Sequence, residues 1–322
     1  MTILLTGGAG FIGSNVAKQL LLENHRVICL DNLDDYYNPD TKWKNVQRTL
    51  SDPGYHFHEG DIRDAELVDT LFQTYGFDAV IHLAARAGVR PSVQNPALYF
   101  DVNVNGTMTL LQAMQRWNVH KMVFASSSSV YGDSPNVPFD ESDTADRPLS
   151  PYAASKRAAE LVCHTFHHLY GFDIFCLRFF TVFGPYQRPE MAISQFTDSL
   201  LNDTAIQVFG DGSTARDYTY VDDIVRGIIL SLENLNGYEV LNIGGSDPIS
   251  LADLIQLIEQ AVGQNAQINR LPMQPGDVQQ TYANIRKAQQ LIGYQPSVRV
   301  EEGIRRFVEW YRASQEAGLV TN

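Results

Sequence analysis

The chain has 322 residues, 44% of them hydrophobic, and carries a formal net charge of −13 at pH 7. This length and composition suffice for one large folded domain or two. The acidic balance, without a basic run, argues against nucleic acid or an anionic membrane as a partner, and no stretch reaches the ~18 apolar residues of a membrane-spanning helix.

A short apolar run at residues 2–6 is followed by a glycine-rich turn and then by a helical pattern. Strand, turn and helix in this order are the context of a dinucleotide-binding site. The turn contains Gly7, Gly10 and Gly13. Glycines at such a turn allow tight folding, close approach of a pyrophosphate and close helix–strand packing. With Phe11 and Ile12 at the helix N-terminus, which attracts phosphates, they predict a dinucleotide site. A glycine-rich loop without a ligand is the alternative.

A second expected strand, at residues 26–30, ends at Asp31. This carboxylate follows the glycines at about the distance from which an acid accepts hydrogen bonds from a ribose. It would repel a 2′-phosphate, and Asn32 follows it where an arginine could have balanced that charge. The pattern therefore favours NAD over NADP.

Apolar strand-length runs alternate with helical patterns through the first 180 residues. We expect strands near 56–58, 78–83, 122–125 and 174–178, and helices near 65–75, 97–117 and 152–170. This alternation predicts an α/β fold with a doubly wound parallel (Rossmann) sheet. Ligands of such sheets bind beyond the carboxyl ends of the strands. The expected strand ends should therefore meet at one edge and carry Asp31, Asp61, Ala84, Ser126 and Thr181.

After about residue 183 the alternation becomes irregular and prolines are frequent. This change predicts a second, smaller and discontinuous α/β domain. A helix start near Asp222 and Asp223 suggests that the chain returns to the first domain before leaving it again. We expect the dinucleotide-binding domain to comprise residues 1–180 plus about 215–240, and the smaller domain about 181–214 plus 241–315.

Tyr152 and Lys156 are four residues apart and so lie on one face of the expected helix. Lys156 can then hold a positive charge near the phenol. Lowering the pKa of a phenol from ~10 to ~7 needs about 4 kcal/mol, which one charge ~4 Å away supplies at an effective dielectric constant near 20. The serines upstream can donate a second hydrogen bond to a reacting oxygen. The pair predicts a group that moves a proton on and off an alcohol; a solvated helix face is the commoner alternative.

The three cysteines, Cys29, Cys163 and Cys176, are far apart and lie in apolar runs. Buried free thiols in a reducing compartment are the expectation, which favours the cytoplasm. The eight histidines show no metal-ligand spacing, and we expect no metal site.

These motifs together resemble the extended short-chain dehydrogenases/reductases, in particular the nucleotide-sugar enzymes of the NAD-dependent epimerase/dehydratase family. The strings that match this family are residues 7–13, 61–64, 82–85, 128–132 and 152–156. Longer strings resemble the UDP-glucuronate 4-epimerases: residues 31–37, 87–90, 178–185, 188–192 and 274–278. The resemblance extends over nearly the whole chain.

The resemblance implies that Tyr152 takes a proton from the sugar 4-hydroxyl while NAD takes the C4 hydride. The 4-keto sugar then turns, and the hydride returns to its other face, which converts UDP-glucuronate into UDP-galacturonate. Ser127 matches the family serine that hydrogen-bonds the same oxygen, and Lys156 would also hold the nicotinamide ribose. Further contacts with NAD would come from Asn32, Asp61, Ile62, Leu83, Ala84, Ala85 and Asn103.

The residues next to Ser127 distinguish this chain from related enzymes. Family dehydratases have Asp-Glu where this chain has Ser128 and Ser129, and the decarboxylases have Glu at the second position. The additional acid or base serves a later step of those reactions. Its replacement by hydroxyls favours simple epimerisation. We hypothesise that Ser128, Ser129 and Thr181 bind the sugar carboxylate; ordinary turn hydrogen bonds are the alternative.

The resemblance also implies a UDP site in the smaller domain. Arg216 matches a family arginine on the diphosphate, with Arg90 and Arg188 as further candidates; an isolated arginine can equally be a surface charge. Asp277 would bind the UDP ribose and Phe209 would lie near the uracil. The loop that lines this pocket would contribute Met191, Ala192 and Gln195.

Two other functions stay open. A UDP-glucose or UDP-N-acetylglucosamine 4-epimerase would use the same residues on another sugar. A non-catalytic NAD or nucleotide-sugar sensor is disfavoured by the intact Tyr152, Lys156 and Ser127. The helical segments at 97–117 and 152–170 resemble those that pair as a four-helix bundle in this family, so we expect a homodimer.

Overall fold

The computed structural model describes residues 1–272 and 278–316. Its strands are β1 Thr2–Thr6, β2 Arg26–Asp31, β3 Tyr55–Glu59, β4 Ala79–His82, β5 Lys121–Ser127, β6 Asp173–Phe179, β7 Thr181–Phe183, β8 Ile206–Phe209, β9 Ala215–Tyr220, β10 Tyr238–Ile243, β11 Pro248–Ser250 and β12 Ile268–Leu271. Its helices are α1 Phe11–Leu22, α2 Pro39–Gln47, α3 Ala65–Tyr75, α4 Val89–Gln94, α5 Pro96–Phe100, α6 Gly106–Arg116, α7 Pro151–Tyr170, α8 Ala192–Leu201, α9 Val221–Glu233, α10 Leu251–Val262, α11 Arg286–Ile292 and α12 Val300–Glu316.

Seven strands form one sheet in the order β10-β6-β5-β4-β1-β2-β3, and every neighbouring pair is parallel. Alternate residues of β1 belong to different cores. Ile3 and Leu5 pack with residues of α1 and α9, whereas Leu4 packs with residues of α3, α6 and α7. Helices therefore cover both faces, as the continuous apolar strands require. The predicted doubly wound parallel sheet is confirmed.

The strand order reverses at β1, which lies between β2 and β4. The helices that follow β1 and β4 in the chain pack against opposite faces of the sheet, and their starting loops separate. A crevice opens for this reason beyond the carboxyl ends of these strands. The sequence predicted polar residues at the carboxyl ends of the strands. This is the same edge of the sheet at which the crevice offers space for a ligand.

A smaller region follows β6. It contains a three-stranded sheet in the order β11-β9-β7 and a two-stranded sheet of β12 and β8. The chain returns to the large sheet through α9, which packs against α1, and through β10, which pairs with β6. The expected return began at about residue 215, but β9 at Ala215–Tyr220 pairs within the small sheet.

The helical segment expected at 97–117 is divided in the structure. Between α5 and α6, residues Asp101–Asn105 form a π-helical turn. Asn103 in this turn is buried and uses its side-chain amide to bind the backbone of Arg86 and the hydroxyl of Ser155. A π turn often marks a functional site, because it moves one side chain out of the regular helical position.

Among the described residues, no helix combines the length and the apolarity needed to cross a membrane.

Candidate active site

A cleft of about 440 Å³ lies at the carboxyl edge of the large sheet. It is lined by the glycine turn, the ends of β2, β4 and β5, the start of α7 and the loop after β7. Many residues predicted to be functional lie in this lining: Gly7, Gly10, Phe11, Ile12, Gly13, Asp31, Asn32, Asp61, Ile62, Leu83, Ala84, Ala85, Ser127, Ser128, Ser129, Tyr152, Lys156, Thr181, Arg188 and Met191. The predicted dinucleotide and sugar residues thus share one cavity.

The three glycines of the turn differ in what surrounds them. Gly7 has φ +73°, and a Cβ there would lie 2.6 Å from the Ala84 nitrogen. A Cβ on Gly13 would collide with the Gly7 carbonyl oxygen, so this glycine lets α1 pack closely on the turn. A Cβ on Gly10 would approach only the Gly7 carbonyl, at 3.2 Å. Gly10 therefore presents backbone at the helix start, a shape that fits a pyrophosphate.

Asp31 is buried at the end of β2 and ties the turn to the loop that follows. Its carboxylate accepts the N–H groups of Ala9 at 3.1 Å and of Leu33 at 2.9 Å. Burial raises the pKa of Asp31, and the charge of Lys42 opposes this rise. A carboxylate accepts about four hydrogen bonds, so it can hold ribose hydroxyls in addition to these two backbone groups. Asn32, which donates to Asp61 at 3.0 Å, extends the same wall.

Lys156 is buried and its ammonium donates to the Ala125 carbonyl at 2.8 Å. The same ammonium lies 5.1 Å from the centre of the Phe124 ring. Burial lowers the pKa of Lys156 to about 8. The side chain therefore stays largely protonated at pH 7 and fixes α7 against the end of β5, next to the serines.

Ser127 ends β5, and a 3₁₀ turn at Ser128–Tyr131 follows it. Its hydroxyl oxygen accepts the Ser129 N–H at 3.2 Å and the Ser129 hydroxyl at 2.9 Å. Because the Ser127 hydroxyl oxygen acts as the acceptor in both bonds, its hydrogen stays available for a further acceptor. The turn places three consecutive hydroxyl side chains at the lining beside Tyr152.

The electrostatic environment of Tyr152 differs from the sequence expectation. Burial raises the pKa of its phenol; the hydrogen bond with Ser127 and the charge of Arg188 act in the opposite direction. Lys156 was expected to lower this pKa, but in the structure its ammonium is directed at a backbone carbonyl. The described side chains alone thus do not activate Tyr152, because the low dielectric of its surroundings outweighs them.

Several predicted residues lie outside the lining of the cleft. Asn103 lies outside this lining and connects the Arg86 backbone to Ser155 on α7. It therefore supports the part of the cleft wall that contains Arg86. Arg90 and Phe209 meet in a cation–π contact of 4.9 Å. Arg216 donates to the Ala215 carbonyl at 2.8 Å, and Ala192 and Gln195 lie in the first turn of α8. Asp277 and most of the 274–278 string lie outside the described residues.

Residues 3–244 match the model of the NAD dependent epimerase/dehydratase family. The chain belongs to this family. It is 45% identical over 315 residues to a UDP-glucuronate 4-epimerase of Thermodesulfobacterium geofontis, an alignment that covers 97% of each chain.

Two solved structures are similar to this epimerase/dehydratase family member over almost their whole length. The UDP-glucuronic acid 4-epimerase of Bacillus cereus, in complex with UDP-glucuronic acid and NAD, gives a TM-score of 0.91 at 36% identity and covers 97% of this chain and 99% of its own. The UDP-glucose 4-epimerase of Thermotoga maritima, with UDP-glucose, gives 0.91 at 34% identity and covers 98% and 100%. The predicted family is confirmed, and the predicted cofactor, NAD, is the one for which the family is named.

A buried ion-pair cluster of this family member was not anticipated from the sequence. Glu160, one helical turn after Lys156, is fully buried and accepts hydrogen bonds from the Arg178 guanidinium at 2.9 and 3.0 Å. It also accepts the Ser126 hydroxyl at 2.5 Å and Arg157 at 2.9 Å. The sequence held one indication of this cluster: Glu160 follows Tyr152 and Lys156 at i+8 and i+4 spacing, which places it on the same buried face of α7.

A second group of residues, to which the sequence assigned no role, also lines the cleft. It includes Asp34, Tyr36, Arg86 and Gly88, which come from the loops after β2 and β4. Asp34 and Arg86 form an ion pair. Within residues 1–272 and 278–316, no group of three or more His, Cys, Asp or Glu side chains could hold a metal ion.

Proposed function

We propose that the chain is an isomerase, an NAD-dependent UDP-glucuronate 4-epimerase that forms UDP-galacturonate through a transient 4-keto sugar. The observation that carries this proposal is the shared cleft. Tyr152, Ser127 and further hydroxyl side chains line the cavity that also contains the glycine turn and Asp31. The names of the T. geofontis relative and of the B. cereus neighbour support the same substrate.

NAD, when bound, supplies an acceptor and donor for the sugar C4 hydride together with a positively charged nicotinamide ring. The residues of the chain handle the proton. The Tyr152 phenolate removes it from the 4-hydroxyl as the alcohol becomes a ketone, and returns it when the ketone is reduced on the opposite face. Ser127 donates a hydrogen bond to the same oxygen. The Lys156 ammonium holds the start of α7 to β5, so that Tyr152 and Ser127 stay together.

We propose that the sugar carboxylate binds near Ser128, Ser129 and Thr181. All three are partly exposed and line the cleft together with Tyr152. Hydroxyl donors hold a carboxylate without adding a group that could act as an acid or base at C5. This matters because the 4-keto intermediate is a β-keto acid, which loses CO₂ readily when its carboxylate can rotate.

The decisive experiment is incubation of the purified protein with UDP-glucuronate and no added NAD, with the products resolved by NMR. The proposal expects UDP-galacturonate. A UDP-pentose would indicate a decarboxylase and an unsaturated sugar would indicate elimination; either result as the main product would overturn the proposal.

A second candidate is a UDP-glucose or UDP-N-acetylglucosamine 4-epimerase. The observation in its favour is the T. maritima neighbour, whose structural similarity equals that of the B. cereus enzyme. The same assay with each sugar nucleotide separates the candidates, because the C4 proton reports epimerisation directly. A Tyr152→Phe variant tests the non-catalytic alternative: retention of activity would contradict the proposed role of Tyr152.

We propose that the protein is a homodimer that pairs through α6 and α7. Leu161 and Leu169 are 53% and 60% exposed on α7, and they are eight positions apart, which places them on one face. Exposed apolar side chains along a helix are typical of contact surfaces. Light scattering of a Leu161→Arg variant should give half the mass of the parent. An unchanged mass would remove α7 as the interface.

We also propose the two-domain division given above, with the return to the large domain beginning at α9 rather than at residue 215, and a cytoplasmic location. The separate small sheets after β6 support a second domain that binds the UDP-sugar, and the three buried free cysteines fit a reducing compartment.

A further inference from the structure

Tyr36 lies in the loop after β2 and lines the same cleft as Tyr152. The loop is shaped by Asp34, whose carboxylate accepts the Tyr36 N–H at 2.8 Å. The backbone carbonyl of Asp34 accepts a hydrogen bond of 2.6 Å from Lys42 on α2. The backbone of Tyr36 is therefore held by Asp34, and the residue contributes to the lining of the cleft.

Two guanidinium groups face this ring. The Cζ atoms of Arg86 and Arg188 lie 5.1 and 5.5 Å from its centre, within the range of a cation–π contact. Arg86 is part of the cleft wall, because its backbone is bound by Asn103 and its side chain by Asp34. Arg188 belongs to the loop after β7, and its Nε atom is 3.3 Å from Glu190. The Tyr36 ring thus contacts both Arg86, in the loop after β4, and Arg188, in the loop after β7.

The backbone at Gly88 makes room for the phenol. Gly88 has φ +104°, and a Cβ at this position would lie 2.6 Å from the Tyr36 hydroxyl oxygen. Any other residue would displace the ring or strain the chain. The neighbouring Ala87 carbonyl accepts the Tyr99 hydroxyl at 2.8 Å, and the Tyr99 ring packs edge-on against Tyr152 at 6.2 Å. The space that Tyr36 fills is therefore built into the wall that supports Tyr152.

We propose that Tyr36 is a positioning residue that holds the Arg188 guanidinium in the cleft on the side of Tyr152. The ring, seated against Arg86 and the Gly88 gap, forms the surface on which Arg188 rests. Arg188 then acts on the reacting groups and Tyr36 acts only through Arg188. The assignment rests on the proposed epimerase function for the site that it serves.

The charges around Tyr152 indicate what this positioning does. Burial raises the pKa of the Tyr152 phenol, while Ser127 and the positive charge of Arg188 lower it. The Tyr36 phenol itself acts slightly against this, since its oxygen raises the pKa of Tyr152. Lys156, the cation on the same face of α7 as Tyr152, is bound to the Ala125 carbonyl. Loss of the Tyr36 ring should therefore weaken the effect of Arg188 on Tyr152.

The test is a double-mutant cycle with Tyr36→Leu, Arg188→Ala and the double variant. Tyr36→Leu should lower kcat/KM for UDP-glucuronate on the order of tenfold, through a higher KM or a lower kcat. It should also move the acidic limb of the pH profile of kcat/KM to higher pH. In the Arg188→Ala background the same substitution should have almost no further effect. Tyr36→Phe, which keeps the ring, should retain most of the activity. Additive effects of the two single substitutions would overturn the proposal.

Tyr75 provides the matched control. Its ring also carries an arginine, Arg26, with Cζ 5.2 Å from the ring centre, but it lies on α3 outside the cleft lining. Tyr75→Leu should leave KM and the pH profile unchanged. An equal shift in this variant would show that the Tyr36 result reflects general destabilisation, and would overturn the positioning role.

A second measurement needs no substrate. The phenolate absorbance of Tyr152, obtained as the difference between each protein and its Tyr152→Phe counterpart, should titrate at higher pH after Tyr36→Leu. If the parent protein does not epimerise UDP-glucuronate but this shift is present, the proposed function fails and the positioning role stands. If the parent is active and the titration does not move, the positioning role fails.

Discussion

Replacing Glu160 by Gln should destabilise the fold strongly, because the carboxylate is the counter-ion of a buried arginine. Glu160 is 0% exposed and Arg178 is 1% exposed. Burial alone would raise the pKa of Glu160, but hydrogen bonding to Arg178 and the Arg178 charge outweigh it and lower the pKa. The carboxylate is thus ionised in the folded protein and compensates the Arg178 charge.

The magnitude follows from the hydrogen bonds that change. One carboxylate oxygen accepts Ser126 and the Arg178 Nε, and the other accepts one nitrogen each of Arg178 and Arg157. A Gln side chain keeps an oxygen for the first pair and turns an NH₂ group, itself a donor, towards the second pair. Two charge-assisted bonds are then lost at roughly 1.5–3 kcal/mol each. This agrees with the ~3–5 kcal/mol expected when one partner of a buried ion pair is removed.

Urea denaturation monitored by circular dichroism measures this change. Glu302→Gln is the matched control, since Glu302 also binds two arginines, Arg305 and Arg306, but on the surface of α12. The double variant Glu160→Gln/Arg178→Met should recover part of the loss, because no buried charge is then left without its partner. If Glu160→Gln cost no more than Glu302→Gln, or if the double variant were less stable than Glu160→Gln, the reasoning would be refuted.

Three further predictions concern the site and its pH dependence. Thr181→Ala should raise KM for UDP-glucuronate severalfold in steady-state assays without a comparable change for UDP-glucose; equal effects on both would remove Thr181 from the carboxylate site. Tyr152→Phe and Lys156→Met should each lower kcat at least about a hundredfold while the circular dichroism spectrum is kept, since each removes a group on which the proton transfer depends. Asp217 is buried and accepts the N–H groups of Gly245, Ser246 and Ala283. Burial raises its pKa to about 6. Its folded-state pKa exceeds the unfolded value of about 3.9, so the folded state binds the proton more tightly, and the free energy of unfolding should fall by about 2 kcal/mol as pH rises from 4 to 6. Asp217→Asn should abolish this part of the slope in urea titrations at several pH values, and an unchanged slope would contradict the assignment.

The general architecture could be predicted because it depends on local sequence. Continuous apolar runs such as residues 2–6 and 26–30 can be buried on both sides only in a covered parallel sheet. The strand–glycine–helix order then places Gly10 and Asp31 at the carboxyl edge whatever the remaining chain does. By the same rule Ser126 was expected at this edge, whereas the meeting of Ser127 with Tyr152 was implied by the family resemblance; the structure places all three in the lining of the cleft.

The contacts that could not be predicted depend on side-chain directions and on segments distant in sequence. The i,i+4 spacing correctly predicted that Lys156 lies on the same helix face as Tyr152. It could not predict that the Lys156 ammonium donates a hydrogen bond to the Ala125 carbonyl. A regular helix was expected through Asn103, but the structure has a π turn there, in which Asn103 binds Arg86 and Ser155, contacts that no helical pattern encodes. The meeting of Tyr36 with Arg188 likewise needs two loops whose positions only the folded chain determines.

The 3₁₀ turn at Ser128–Tyr131 has a consequence for the divergence of such enzymes. Its end is anchored, since Val130 and Tyr131 are buried, whereas Ser128 and Ser129 are only partly covered and line the cleft. Substitutions at these two positions therefore exchange the reactive groups offered to the intermediate without disturbing the packing of β5. An enzyme that already oxidises the sugar can in this way acquire an acid or a base that acts on the oxidised intermediate. New reactions can therefore arise by point mutation on an unchanged scaffold.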